Sequence, residues 1–248
     1  MEFRRSLLKI WPIRLFYVLL RYIILTKLKK ARFKYEKNDI SNKNLILVEN
    51  GETTIKYNSN FLKWNLFSNF RNFFLPDLLG LKCNRLINPL IEQPFIFKNI
   101  NKLKILAVGP RTEGEIYNLY TKGFSWKNIY SIDLFSYSKK IDIGDVHDLP
   151  YPENFFDIML SSYNLTYSNN KKLFIKNLVK SCKNGGIIAI SVGNHKKTSD
   201  QKTFYENFDE FLSLFTNYIE RIYFRTFSED FDESFQKEEY YLIFKLKK

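Results

Sequence analysis

The alternation of short apolar runs with amphipathic helical segments after residue 101 constrains the fold more than any other feature of this sequence. Five apolar runs predict strands, at 102–109, 128–134, 140–145, 155–162 and 186–193. Helices are predicted from about Glu115, at 171–183 and at 203–215. Two further strands, at 218–227 and 238–247, follow each other without a helix between them. The pattern predicts a doubly wound α/β fold with a mostly parallel seven-stranded sheet and an antiparallel last strand.

Upstream of this α/β domain, which covers 101–248, the chain divides into two zones. We expect residues 1–35 to form a basic amphipathic helix. We expect residues 36–100 to form a small extension made of a hairpin and an aromatic helix. The whole chain has 248 residues, 45% of them hydrophobic, and 24 are Phe. Such a chain can bury a large core, so the protein as a whole is not expected to be disordered.

Residues 1–35 hold most of the net positive charge. They contain ten Lys or Arg against one acid, a net +9 of the +13 carried by the whole chain. The longest uncharged run of the predicted helix over 4–34, Leu15–Leu20, is far shorter than the roughly 18 residues that span a bilayer. The helix therefore either lies in a membrane interface or packs on the main domain, and the sequence leaves both interpretations open.

The second zone contains a hairpin signal and an aromatic stripe. Two β-rich runs flank Asn50-Gly51, a dipeptide that favours a tight hairpin turn. Aromatic residues then recur three or four apart between Phe61 and Phe74, which predicts one aromatic face of a helix. This face either covers an apolar substrate or belongs to the core, and the core is the commoner use of such a stripe.

Polar residues follow four of the predicted strands, at the edge where an open parallel sheet binds ligands. They are the glycine turn 109–115, Asp133, Asp145 and the segment 161–167. The glycine turn, "VGPRTEGE" with its flanks, lacks the Lys-Ser or Lys-Thr that ends a phosphate loop, and G-x-G-x-x-G is also absent. Only two histidines and two distant cysteines occur, so a His-rich metal site is excluded and no metal site is predicted.

Four segments together resemble a class I, Rossmann-like S-adenosylmethionine-dependent methyltransferase of the kind called methyltransferase type 11. They are "ILAVGPRTEGE", "SIDLFS", "IGDVHDLPYPENFFDIMLSSYNLTYS" and "NLVKSCKNGGIIAISVG", in the family's order and spacing. The third segment is the most specific, and the resemblance covers a little over a third of the chain. It implies S-adenosylmethionine as the cofactor and methyl transfer as the activity.

The resemblance also implies which residues contact the cofactor. In the glycine turn these are Gly109, Arg111, Glu113 and Gly114, where the arginine would pair with the cofactor carboxylate. Asp133 would hold the ribose hydroxyls and Leu134 would lie against the adenine. Asp145 would accept from the adenine amine, and Val146 would meet the ring edge through its backbone.

The glycine turn also departs from the family. Ala107 stands where the family usually has an acid, which Glu113 or Glu115 would have to replace. A general base is needed only when the acceptor is a weak acid such as a hydroxyl. His147 and His195 are the candidates for it, and Tyr163 is a candidate, with Tyr167, for positioning the acceptor.

No motif in the sequence identifies the methyl acceptor. The N-terminal helix and the aromatic stripe favour a lipid, a quinone or a lipid-linked sugar. A soluble glycan precursor, a small metabolite or a protein stays open, and nucleic acid is disfavoured because the basic charge lies on an apolar helix. The expected location is the cytoplasm, with peripheral contact at the inner face of the membrane through residues 1–34. The alternative function is a catalytically inactive methyltransferase fold that serves as a binding or scaffold protein at a membrane surface.

Overall fold

A computed structural model of the chain provides the architecture. It describes residues 83–110, 113–136, 138–168, 170–195, 205, 207–227 and 237–248, the strand backbones at 32–33, 44–49 and 52–58, and positions 10, 12, 13, 16 and 20. The predicted aromatic stripe of 61–74 and most of the predicted helix over 4–34 lie outside these residues. No helix among the described residues is long and apolar enough to cross a membrane.

Seven strands form one sheet in the order β10-β11-β9-β8-β4-β5-β7. Their bounds are β4 Ile105–Val108, β5 Ile129–Asp133, β7 Asp142–Ile143, β8 Phe156–Ser162, β9 Cys182–His195, β10 Ile219–Phe227 and β11 Lys237–Leu246. Neighbours from β9 to β7 pair parallel, and β11 pairs antiparallel with both β9 and β10. The predicted seven-stranded sheet with an antiparallel last strand is confirmed.

Between residues 83 and 248, the helices that the structure describes are α1 Asn84–Ile91, α2 Pro94–Phe97, α3 Gly114–Thr121, α4 Lys171–Ser181 and α5 Phe208–Ser213. Alternate residues of β4 belong to two separate apolar clusters. Leu106 and Val108 pack in the cluster with α4 and α5, whereas Ile105 and Ala107 pack in the cluster with α1 and α3. Because successive side chains of a strand point to opposite faces, a continuous apolar run places this strand between two helical layers.

The structure corrects two predicted boundaries after β8. Helix α4 ends at Ser181 instead of continuing to 183, and β9 begins at Cys182 instead of at 186. The pair Gly185-Gly186, which was expected to end the helix, lies inside the strand, where the pairing with β8 changes register between Phe156 and Ile158. Gly185 has φ +73°, a conformation that side chains rarely adopt, so it forms an irregularity of the strand.

Other helices also differ from prediction. The helix predicted over 203–215 is only the short α5, which begins where the Asn207 side chain accepts a hydrogen bond from the backbone N–H of Glu210 at 2.9 Å. Helices α1 and α2 were not predicted. Pro89 lies inside α1 and breaks the periodic pattern, yet Leu86, Ile87 and Leu90 are fully buried against the sheet, and this burial holds the helix.

Within the first 60 residues, the described positions include three short strands. Strand β2 (Asn44–Glu49) pairs antiparallel with β3 (Glu52–Asn58), which confirms the hairpin strands predicted around Asn50-Gly51. Strand β1 (Arg32–Phe33) pairs antiparallel with β6 (Phe135–Ser136). The helix predicted over 4–34 therefore does not extend to its end, because residues 32–33 take extended conformation to pair beside the end of β5.

Candidate cofactor site at the carboxyl edge of the sheet

The ends of β4, β5 and β8 bring the predicted cofactor residues to one edge of the sheet. Gly109 follows β4 directly, and its N–H donates to the carbonyl oxygen of Ile132 in β5 at 2.7 Å. Asp133 is the last residue of β5. In the parallel register Val108 pairs with both Ile132 and Ser161, so the glycine turn lies between the ends of the two neighbouring strands.

Gly109 turns the chain sharply at this edge. Its φ of +72° is one that glycine adopts without strain. The side chain of Asn164 covers the position where a Cβ of residue 109 would lie. Asn164 donates from Nδ2 to the carbonyl oxygens of Val108 at 2.5 Å and Ser162 at 3.0 Å, so it joins the glycine turn to the end of β8. The sequence reasoning did not single out Asn164, although the segment 161–167 was flagged.

The acids of the glycine turn are engaged inside the protein. Glu113 is 6% exposed and accepts hydrogen bonds from the hydroxyls of Tyr117, at 2.9 Å, and Ser138. It thereby ties the turn to the segment after β5, next to Gly114, which begins α3. Glu115 is 2% exposed and accepts from the Cys83 thiol at 3.0 Å. Arg111 lies outside the described residues. The roles of Glu113, Gly114 and Arg111 toward a cofactor stay predictions.

Asp133 and Asp145 lie on neighbouring strand ends and are both nearly buried. Asp133 pairs in register with Ile143 of β7, and Asp145 follows two residues later. They are 6% and 7% exposed. The N–H of Gly144 donates to the backbone carbonyl of Asp133 at 3.0 Å, which holds the two turns together. Leu134, half-buried, lies beside Asp133 in the chain, and Val146 packs partly buried on the core.

His147 is engaged at both ring nitrogens. Its Nδ1 lies 2.7 Å from Oδ1 of Asp145, and its Nε2 lies 2.8 Å from Oγ of Ser168. Oδ1 of Asp145 also accepts from the backbone N–H of His147 at 2.9 Å. Both ring nitrogens therefore have partners within the protein, and the role of His147 as a general base stays a prediction. Sequence analysis did not identify Ser168 as a site residue, although it is the last residue of the third segment that carries the family resemblance.

Tyr163, predicted to position the acceptor, lies in a polar chain at the far side of β8. Its φ is +63°. Its hydroxyl lies 2.6 Å from that of Tyr241, which donates to Glu239 at 2.5 Å, and Arg85 also bonds Glu239 at 2.7 Å. Because the Tyr241 proton goes to the carboxylate, Tyr163 donates to Tyr241. Burial raises the pKa of the Tyr163 phenol, so it stays protonated.

Of the other two predicted residues, only Tyr167 has a described side chain. Tyr167 is 48% exposed in the 3₁₀ turn after β8. His195 is the last residue of β9, opposite Lys237 of β11, and its side chain lies outside the described part of the chain. Within that described part, no group of three or more His, Cys, Asp or Glu could hold a metal ion.

The residues at this edge fit S-adenosylmethionine. Buried carboxylates on adjacent strand ends suit vicinal hydroxyls and an amine, since a carboxylate only accepts hydrogen bonds. Ser161 is fully buried, and its Oγ has no hydrogen-bond partner among the described residues, so a polar ligand at this edge would satisfy it. The tight turn at Gly109 brings backbone groups to the same edge, with the Asn164 side chain packed beside residue 109.

Comparison with known proteins agrees with this geometry. Residues 107–190 match the family model described as "Methyltransferase domain". The match covers about a third of the chain, and it supports the resemblance to class I S-adenosylmethionine-dependent methyltransferases. A curated relative, ajmaline N-methyltransferase of Rauvolfia serpentina, is 34% identical over 58 residues, which are 23% of this chain and 20% of that protein. The chain thus matches about a fifth of that relative's length.

Solved structures share the fold. A putative sarcosine dimethylglycine methyltransferase from Galdieria sulphuraria aligns with a TM-score of 0.50 and 12% sequence identity, over 68% of this chain and 87% of the other chain. At this identity the likeness shows the fold alone. It agrees with the seven-stranded sheet and its antiparallel last strand.

Proposed function

We propose that this chain is an active methyltransferase that uses S-adenosylmethionine to methylate an acceptor presented at a membrane surface. The observation that carries the first half is the pair of nearly buried carboxylates, Asp133 and Asp145, on neighbouring strand ends beside the Gly109 turn. Burying two carboxylates costs free energy. A polar ligand that donates hydrogen bonds to them would offset part of this cost.

The chain's own residues would hold the cofactor as follows. Asp133 accepts from the ribose hydroxyls, and Asp145 accepts from the adenine amine. The backbone of the Gly109 turn, which lies at the same edge between β5 and β8, faces the methionine portion. The Ser161 hydroxyl contributes a further polar group at the same edge.

The protein's contribution to the reaction is mainly orientation and exclusion of water. When bound, S-adenosylmethionine supplies a methyl group from its sulfonium. Loss of that methyl group leaves a neutral thioether. The side chains at the edge have to hold the acceptor in line and desolvated. With His147 engaged at both nitrogens and Tyr163 kept protonated, the described residues around the edge favour an acceptor that needs no strong base, such as an amine or an acidic hydroxyl or carbon.

The proposed membrane contact rests on the few described positions near the N-terminus. Three helical residues, Ile13, Phe16 and Leu20, are three and four positions apart. All three are large apolar side chains that are exposed. Phe16 is 67% exposed. An exposed apolar stripe within a strongly basic segment suits an anionic lipid surface, where apolar side chains enter the interface and basic ones meet headgroups. This exposed apolar stripe supports a lipid, a quinone or a lipid-linked sugar as the acceptor.

The test is binding followed by transfer, with the purified full-length protein. Calorimetry should detect S-adenosylmethionine and S-adenosylhomocysteine binding more tightly than NAD or ATP. At about a hundred times its dissociation constant the ligand should stabilise the fold by about 2.7 kcal/mol, which a melting experiment resolves. Methyl-labelled cofactor, incubated with fractionated lipids, glycan precursors and metabolites, should then label one fraction.

One observation favours the second candidate, an inactive scaffold. Ala107, at the position where the resembled family has an acid, is fully buried in the core and offers no polar group to a ligand. Cofactor binding without transfer to any fraction, or no binding at millimolar cofactor, would overturn the enzymatic proposal. The second result would favour a scaffold that has lost its ligand.

A further inference from the structure

A continuous hydrogen-bonded chain, Ser168–His147–Asp145, runs from the turn after β8 to the turn after β7. The outer distances are 2.8 Å from Ser168 Oγ to His147 Nε2 and 2.7 Å from His147 Nδ1 to Asp145 Oδ1. Exposure is low at every member: the side chains of His147 and Asp145 are 15% and 10% exposed, and Ser168 is 5% exposed. Hydrogen bonds in such a setting hold groups firmly, because water does not compete for them.

Donor and acceptor roles in the chain follow from its ends. A carboxylate only accepts hydrogen bonds, so Nδ1–H of His147 donates to Asp145. In the neutral ring Nε2 is then an acceptor, and the Ser168 hydroxyl donates to it. The Ser168 oxygen in turn accepts from the backbone N–H of Asn170 at 3.2 Å. Each bond fits the next, and the chain specifies the Nδ1–H tautomer of His147.

Helix α4 fixes the imidazole and its backbone. The Phe174 ring meets the imidazole edge to face, with ring centroids 5.9 Å apart and planes at 76°. Asn177 donates from Nδ2 to the carbonyl oxygens of Val146, at 3.2 Å, and His147, at 2.5 Å. The ring therefore has little freedom to turn toward a reacting group, and its nitrogens already serve Asp145 and Ser168.

We infer that His147 and Ser168 are positioning residues that hold the Asp145 carboxylate in place for the adenine amine of S-adenosylmethionine. The inference rests on the proposed function, since Asp145 matters to a ligand only if the cofactor binds at this edge. A carboxylate already held in one rotamer loses less entropy on binding. The chain also connects Asp145 to the segment after β8, on which Asn164 and Tyr163 lie.

The experiment measures dissociation constants of S-adenosylhomocysteine and of its 6-oxo analogue, in which the purine carries an oxygen in place of the amine. His147→Phe removes both ring bonds and keeps an aromatic ring beside Phe174; it should weaken S-adenosylhomocysteine about tenfold or more. Ser168→Ala should weaken it about threefold, and Ser168→Thr, which keeps the hydroxyl, should restore affinity. The 6-oxo analogue should bind the wild type and His147→Phe with nearly equal affinity.

Three results would overturn the inference. One is wild-type affinity of His147→Phe for S-adenosylhomocysteine. Another is equal weakening of both ligands, which would make the residue a general support of the fold. The third comes from nitrogen-15 spectra of the neutral imidazole in the ligand-free protein, which should report the Nδ1–H tautomer; the Nε2–H tautomer would mean that the chain does not exist. This spectrum needs no ligand, so it tests the hydrogen-bonded chain independently of the proposed function. The proposed function would fail by a different result, namely wild-type protein that binds neither ligand. If His147→Phe does not fold, the Ser168 pair and the spectrum still decide the matter.

Discussion

The Asn164 side chain lies against Gly109, in the space that any side chain at position 109 would need. Its amide bonds the carbonyl oxygens of Val108 and Ser162, one on each of two neighbouring strands. The glycine turn and the end of β8 therefore form a single unit, and a change at either residue is felt at the other.

Gly109→Ala should destabilise the protein and do so through Asn164. The backbone at φ +72° costs about 1–2 kcal/mol for an alanine, and the new Cβ displaces the Asn164 amide from its two bonds. In the double variant Gly109→Ala/Asn164→Ala the overlap is removed. Urea unfolding should therefore show a double-variant cost smaller than the sum of the two single costs, and strict additivity would contradict the contact.

Asp133→Ala should weaken S-adenosylhomocysteine at least about tenfold, because two hydrogen bonds to a charged acceptor are lost, each contributing about 1.5–3 kcal/mol. The matched control is Asp142→Ala. Asp142 lies on the adjacent strand, in register with Ile132, but is exposed and accepts from Tyr151 at 2.6 Å. Calorimetry should find near wild-type affinity for the control. Normal binding by a folded Asp133→Ala would place the ribose elsewhere.

The stability of the protein should fall with alkaline pH, in part through Cys182. Burial raises the pKa of the Cys182 thiol from 9.0 to about 12. Between these values the unfolded thiol has lost its proton while the folded thiol keeps it, so unfolding releases a proton and the free energy of unfolding falls by about 1.4 kcal/mol per pH unit. Below pH 9 this contribution to the slope is absent.

Cys182→Ala should reduce that alkaline slope. Buried tyrosines such as Tyr163 also contribute to the slope, but they do so equally in wild type and variant. Val179→Ala is the control, since Val179 packs in the same apolar cluster and its truncation lowers stability at every pH without removing a titrating group. Urea unfolding across pH 8 to 11 provides the measurement; identical slopes for wild type and Cys182→Ala would contradict the assigned pKa.

The protein should pellet with anionic vesicles through its N-terminal segment. A variant with Ile13, Phe16 and Leu20 all changed to Ser should lose most of this binding, because each buried apolar side chain contributes about 1.5–3 kcal/mol. Wild-type binding should weaken with salt and persist in part, since salt screens only the charge contribution. A control with Phe97→Ser changes another exposed apolar side chain, 71% exposed on α2, and should bind as wild type. Equal pelleting of the triple variant and wild type would remove the support for a lipid acceptor.

Much of the sheet could be predicted because its strands are buried on both faces. Continuous apolar runs such as 105–108 and 158–160 identify such strands without any alternation, and the polar residues that follow them mark the edge. The boundary between α4 and β9 could not be predicted, since Gly185-Gly186 is a helix-ending signal in sequence and a strand irregularity in the fold. Helix α1 was hidden by Pro89, whose local cost is outweighed by tertiary burial.

A site residue could be predicted only where its own position in the sequence, at the end of a predicted strand, indicates its role. Asp133 and Asp145 follow apolar runs directly, and their position at the edge follows from strand order. The partners of Glu113 could not be predicted, because Ser138 approaches it from a segment 25 residues away. The same holds for Ser168 and His147, which are 21 residues apart and meet only after α4 has packed on the sheet.

Strand β1 sets a limit on how far the cofactor edge can move from the N-terminal segment. Leu20 and Arg32 are twelve residues apart in the chain, a span of at most about 40 Å when fully extended. Because Phe33 pairs with Phe135, two residues beyond Asp133, the edge stays within that reach of whatever surface holds Leu20. On a bilayer the protein would sample only a thin layer above the lipids, where the local concentration of a lipid acceptor, and not its solution affinity, governs how often the two meet.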